Sequence, residues 1–159
     1  KFDYIHLWAA GIGVTPFASI LKAIKYKIEL GGCNIQSVEF YWTNRDKRSF
    51  EWFLTLLAAL EKSCSFLVIN LYFTGKLSDK DKTTNADGTD GLTGLETKTQ
   101  YGRPDIPTIY ANKAQEMQGK KVGVFFCGPR PVSKALHEAC MKNTNTATKT
   151  RFVYHKENF

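Results

Sequence analysis

Tyr4-Ile5-His6-Leu7-Trp8-Ala9-Ala10-Gly11-Ile12-Gly13-Val14-Thr15-Pro16 decides the fold. Its first seven residues are an apolar run halted by glycine, which reads as a buried strand. Beyond the bend, Phe17, Ile20, Leu21, Ile24 and Ile28 recur at helical spacing, with Lys22, Lys25 and Lys27 on the opposite side. A strand, a glycine turn and a helix in direct succession make a place for phosphate. Gly11 and Gly13 allow a tight turn and close approach of an anion, and the helix start adds free N–H groups and a positive dipole end. Thr15 is placed to cap the helix or to bond the same anion, and Pro16 suits the first helical turn. The full dinucleotide fingerprint has a third glycine, so a plain strand–turn–helix corner is the competing reading. The strand before and the helix after favour the phosphate site.

Working outward, Gly31-Gly32 stops the first helix. Val38, Phe40 and Trp42 alternate with Glu39, Tyr41 and Thr43, giving a second strand. Ser49 is the expected cap of a helix from Phe50 to about Lys62, and residues 66–74 form a third strand. Residues 76–91 are lysine, aspartate, threonine and glycine around Leu77 and Ala86, a long exposed loop expected to be mobile. Its Asp79-x-Asp81 start suggests calcium, but an EF-hand needs Gly where Thr84 stands and Glu where Asp90 stands. A helix is expected over residues 107–118, a fourth strand over 121–127, a helix over 131–142, a polar connector over 143–150 and a last strand over 151–155. This order predicts an α/β fold, an open, mainly five-stranded parallel sheet with helices on both faces.

The 159 residues correspond to one domain. A hydrophobic share of 43% and a charged share of 23% exclude disorder, collagen and coiled coil. No apolar run reaches the length of a membrane span, and no secretory leader is visible. The chain opens Lys1-Phe2-Asp3 without Met, so it is expected to be a piece of something longer. Lys and Arg number 22 against 15 Asp and Glu, a net +7 that favours anionic partners and also serves solubility. Cys33, Cys64, Cys127 and Cys140 form no Cys-x-x-Cys pair, and His6, His137 and His155 are too scattered for a zinc set, so no metal is expected.

In a dinucleotide domain, the residue beyond the second strand reads the ribose: an acid for a free 2′-hydroxyl, an arginine for a 2′-phosphate. Here stand Arg45 and Arg48, with Asp46 between them. Their planar forks suit phosphate, and a solvated charged turn is the alternative. Arg103, held between Gly102 and Pro104, is a second candidate or an idle surface arginine. Cys127 and Gly128 end the fourth strand, at the edge where open parallel sheets bind ligands. Cys127 has no base paired with it in sequence, so it is not expected to be a nucleophile. The terminal Phe159, preceded by Glu157, is either a ring for stacking on a flat ligand or a frayed tail.

Taken together these blocks resemble the NADPH-binding half of the NADPH oxidases, in the ferredoxin–NADP reductase superfamily. The resemblance rests on residues 11–21, on Tyr41-Trp42-Thr43-Asn44-Arg45-Asp46 with Phe50-Glu51-Trp52-Phe53, and on Thr93-Gly94-Leu95. It continues through Tyr101-Gly102-Arg103-Pro104, residues 122–129 and Glu157-Asn158-Phe159. The block around Trp42 to Phe53 is nearest in wording to the calcium-regulated branch. The resemblance implies one NADPH-binding domain over residues 1–159, with residues 76–91 a flexible insertion. It assigns Gly11, Ile12, Gly13, Val14, Thr15 and Pro16 to the diphosphate loop, and Arg45 and Arg103 to the 2′-phosphate. It assigns Cys127, Gly128 and Pro129 to the nicotinamide side, Glu157 to an acid near the nicotinamide, and Phe159 to the aromatic that covers the flavin face. Cys127, Glu157 and Phe159 are thus the residues expected nearest the chemistry. The parent would carry FAD on a flavin domain and haem in transmembrane helices, both preceding residue 1. This domain would lie on the cytosolic face of the membrane, with a regulatory protein or calcium-sensing domain as a further partner. His6 and Trp8 depart from the small aliphatics usual in the first strand.

Three rivals remain from the sequence. A ferric-chelate reductase shares the cofactor logic with another final acceptor. A non-catalytic docking domain would use the basic helix at residues 17–28 to bind calmodulin or anionic lipid. A nucleic-acid binder fits the charge, but the aromatics fall in core patterns rather than on a basic stripe, so no nucleic acid is expected.

Overall fold

The computed structural model describes residues 1–157, the Phe50 side chain excepted. Six strands form one sheet: β1 (Tyr4–Ala10), β2 (Ser37–Asn44), β3 (Leu67–Phe73), β4 (Gln100–Tyr101), β5 (Lys121–Cys127) and β6 (Arg151–Lys156). Their order is β4-β3-β2-β1-β5-β6, and every neighbouring pair is parallel. The expected α/β class is therefore present, with six strands instead of five. The added strand, β4, is two residues long, too short for any periodicity to reveal.

Helices cover both faces. On one, α1 (Thr15–Glu29) and α2 (Lys47–Ser63) press Phe17, Leu21, Phe53 and Leu57 onto Leu7, Phe40, Trp42 and Leu71. On the other, α3 (Ile106–Glu116) and α4 (Arg130–Asn143) press Tyr110, Ala114, Leu136 and Ala139 onto Trp8, Tyr41, Val124 and Phe126. The period-two alternation of β1 sorts Leu7 and Ala9 to the first core and Trp8 to the second. Cys64 and Cys140 are buried in these cores.

His6 and Trp8 fit because α3 presents Tyr110 to them. Trp8 stacks on its register partner Tyr41 with centroids 4.1 Å apart, and its indole N–H donates to the Tyr110 hydroxyl at 3.0 Å. His6 Nδ1 lies 3.3 Å from the same hydroxyl. Behind His6, the Glu39 carboxylate accepts from Lys113 at 2.7 Å and from Tyr41 at 2.5 Å.

Two capping expectations change. Asp46, not Ser49, caps α2: its carboxylate accepts from the Arg48 amide at 3.0 Å, and the helix begins at Lys47. A carboxylate caps as well as a hydroxyl does and lies nearer the strand end. Thr15 caps nothing; its hydroxyl donates to the Ile12 carbonyl at 3.1 Å, across a 3-10 turn over Gly11–Val14.

Residues 76–91 are exposed over most of their length but are tied by specific bonds. A 3-10 turn spans Asp79–Lys82, closed by a reciprocal Ser78–Asp81 capping box. Asp90, almost fully buried, accepts from the amides and hydroxyls of both Thr93 and Thr99. Glu61 of α2 accepts from the amides of Glu96 and Thr97, anchoring the approach to β4. Asp90→Ala removes the acceptor for four donors. At a site almost closed to water the expected loss is about 2–3 kcal/mol in chemical denaturation; an unchanged midpoint would show that the knot holds nothing.

Candidate functional site

The sheet reverses its strand order at β1: β2, β3 and β4 extend to one side, β5 and β6 to the other. A crevice outside the carboxyl ends of the strands is the expected consequence. A cleft of about 1140 Å³ lies there. Its floor is the loop after β1, through Gly11, Ile12, Gly13, Thr15 and Pro16. One end is formed by Asn44, the last residue of β2, by Arg45 and Asp46 after it, and by Thr74 after β3. The other end is formed by Cys127, Gly128, Pro129, Val132 and Glu157.

The floor is built by close approach. A Cβ on Gly13 would stand 2.4 Å from the carbonyl oxygen of Cys127, so only glycine lets the β1 loop and the β5 end meet. Gly11 has φ of 61°, and its carbonyl accepts from the Trp42 indole at 3.2 Å, fixing the loop to β2. Ile12 stands 87% exposed at the crest, whereas Val14 is buried in the core and does not line the cleft.

The helix starts sort by position. α2 and α3 are capped by Asp46 and Asp105. α1 and α4, which begin at the cleft, have no side-chain cap. The Thr15 amide donates to the Ile12 carbonyl across the 3-10 turn, while the dipole ends of both helices meet no side-chain acceptor among the described residues.

Arg45 is exposed at the rim and Asn44 shapes its turn, the Asn44 Oδ1 accepting from the amides of Arg45 and Asp46 at 2.7 and 3.1 Å. Since Asp46 is committed to the α2 cap, the ribose end presents a cation. Arg103 is exposed and does not line this cleft; its neighbour Gly102 lines a second, smaller cavity alongside. At the opposite end, burial and the Glu157 charge push the Cys127 thiol up, so it is a neutral group at pH 7 and no nucleophile. The Glu157 amide donates to the Phe126 carbonyl at 2.8 Å, which holds the residue beside the cleft. Phe159 lies outside the described residues.

Asn44, Thr74 and Val132 escaped the sequence reading. Thr74 was legible in principle, as the residue between the end of β3 and a glycine; Asn44 and Val132 carry no local signal. Among the described residues no helix is long and apolar enough to cross a membrane, and no cluster of His, Cys, Asp and Glu is fit to hold a metal ion.

Residues 2–141 match the family model described as ferric reductase NAD binding domain. The chain belongs to that family. It is 46% identical over 167 residues to a superoxide-generating NADPH oxidase heavy chain of Dictyostelium discoideum, across 100% of the chain and 32% of that protein. It is 38% identical over 165 residues to human NADPH oxidase 3, across 95% of the chain and 29% of that protein. This NAD-binding domain thus spans about a third of the length of these curated relatives. Among solved structures, the cytochrome b5 reductase domain of Ulva prolifera nitrate reductase superposes with a TM-score of 0.60 at 15% identity. That superposition covers 96% of the chain and 50% of the solved one, and it supports the fold.

Proposed function

We propose that the domain holds NADPH extended across the carboxyl edge of the sheet and presents its nicotinamide for hydride transfer within a larger, superoxide-generating NADPH oxidase. The observation that carries this is the cleft itself: a glycine floor between two uncapped helix starts, with Arg45 at one end and Cys127, Gly128 and Glu157 at the other. The diphosphate would lie over residues 11–16, and the 2′-phosphate would meet Arg45, with Arg103 as second cation. The nicotinamide would face Cys127, Gly128 and Pro129. Glu157 would stand beside it, and Phe159 would gate it. The domain's contribution is binding and orientation. In the whole protein, FAD on a preceding flavin domain would supply the hydride-accepting ring, and haems would relay electrons to oxygen. This domain would then work at the cytosolic face of the membrane.

The test is a thermal shift with NADPH and with NADH, repeated on Arg45→Ala. Stabilisation grows with ligand over its dissociation constant. A charge-assisted bond of about 1.5–3 kcal/mol makes the expected NADPH advantage roughly tenfold or more in affinity. The advantage should shrink in the variant and in high salt. Equal shifts from both nucleotides would remove the arginine assignment. The family description favours one second reading, a ferric-chelate reductase, which oxygen-consumption and iron-reduction assays on the whole protein separate.

A further inference from the structure

We infer that Lys82, from the inserted segment, is a further determinant of NADPH over NADH, placed in a compartment that continues the cleft. This rests on the NADPH reading above and names a residue beyond the two arginines. The second cavity, of about 430 Å³, shares Thr74 with the main cleft and lies beyond the carboxyl ends of β3 and β4. Lys82, Tyr101 and Gly102 line it. From β5 to β4 the edge crosses four strand spacings, about 19 Å at ~4.8 Å each. A dinucleotide with its nicotinamide at Cys127 and its diphosphate at Gly13 runs in this direction past Arg45. Its adenosine 2′-phosphate half therefore arrives at the shared wall.

Lys82 is held there by contacts outside the cofactor path. The Tyr101 hydroxyl donates to the Asp81 carbonyl at 3.2 Å, fastening the 3-10 turn to β4. Lys47, in the first turn of α2, pairs with the Asp81 carboxylate at 2.6 Å, and Ser78 donates to its other oxygen at 2.8 Å. The acid next to Lys82 is thus engaged elsewhere. The Lys82 ammonium lies 5.9 Å from the centroid of the Tyr101 ring, over its face. A cation resting on an aromatic at the mouth of a pocket is available to a phosphate monoester, which attracts it more strongly than the ring does. NADH lacks that monoester and has nothing for Lys82 to meet.

The experiment measures dissociation constants of NADPH, NADH and 2′,5′-ADP for the wild-type chain, Lys82→Ala and Lys82→Arg at low salt. Lys82 is exposed and fills no core, so folding should survive both changes. Lys82→Ala should weaken NADPH and 2′,5′-ADP by about three- to fivefold, an exposed charge contact, and leave NADH within about twofold. Lys82→Arg should retain most of the NADPH affinity. A wild-type NADPH preference that Lys82→Ala leaves intact would overturn the Lys82 assignment alone. A wild-type chain with no preference would overturn it together with the function proposed above.

Discussion

Gly13→Ala should remove most of the NADPH-dependent stabilisation of this domain. The added Cβ would lie 2.4 Å from the Cys127 carbonyl oxygen and 2.9 Å from its carbon, both backbone atoms that cannot rotate away. Either the loop after β1 lifts from β5, or the β5 end moves from β1. Each outcome spoils the floor over which the proposed diphosphate site is built. Forcing atoms into a filled site costs about 1–3 kcal/mol, and relief by lifting the loop shifts the cost from stability to binding. A loss of affinity of about two orders of magnitude, with a melting temperature lowered by several degrees, is therefore expected. Gly11→Ala is the control. Its Cβ meets nothing within 4 Å, so its penalty comes from a φ of 61° alone and should be smaller. If Gly13→Ala binds NADPH as the wild-type chain does, the close approach to Cys127 is not part of the site.

The contrast between these two glycines marks what sequence can tell. Gly11-x-Gly13 between a strand and a helix pointed to a tight corner, but not to which glycine answers to conformation and which to contact. That depends on β5, more than a hundred residues away in sequence. The same limit explains the other departures. The β1, β2, β3 and β5 strands were legible because each is seven or eight residues of apolar or alternating pattern. Gln100–Tyr101 was not, because its strand character comes from pairing with Tyr72 and Phe73. Asp46 was legible as a charged neighbour of Arg45 but not as the α2 cap, since two capping residues stood within four positions. Residues 76–91 read as solvent-exposed from composition. Their fastening came from Asp90, bonding Thr93 and Thr99 just beyond the segment, and from Lys47, a distant residue of α2 that pairs with Asp81. Arg45 reached the cleft because strand ends in a parallel sheet converge there. Arg103 follows an edge strand, and its distance from the cleft follows from β4 lying outermost.

His6 makes the stability of this domain fall as pH drops from about 6.5 toward 4. The ring is buried between β1, β2 and α3, and burial lowers its pKa from 6.5 to about 4, the Glu39 charge only partly opposing this and Lys113 reinforcing it. Hydrogen bonding points the same way. The Tyr110 oxygen already accepts from the Trp8 indole N–H and lies 3.3 Å from His6 Nδ1, so the ring shares that polar neighbour. Nε2 is buried without a hydrogen-bond partner among the described residues, 3.9 Å from Glu39, so a charged ring would be poorly satisfied there. In the unfolded chain His6 takes up a proton near pH 6.5. Between the two values the unfolded state binds the extra proton, so stability rises with pH, is complete above 6.5 and is lost as pH falls through about 4. The shift corresponds to about 3 kcal/mol across that window, at about 1.4 kcal/mol per pK unit. His6→Phe fills the same space, and Tyr110 keeps Trp8 as its donor. Glu39 and Asp90 also have lowered values, but carboxylates titrate mainly at the acid end of the range, so the upper part of the window belongs to His6. Chemical denaturation at about pH 7 and about pH 4.5 should therefore show a steep loss in the wild-type chain and a much shallower one in His6→Phe. Parallel losses in the two proteins would mean that His6 is already protonated in the folded state, with Glu39 and not burial governing the ring.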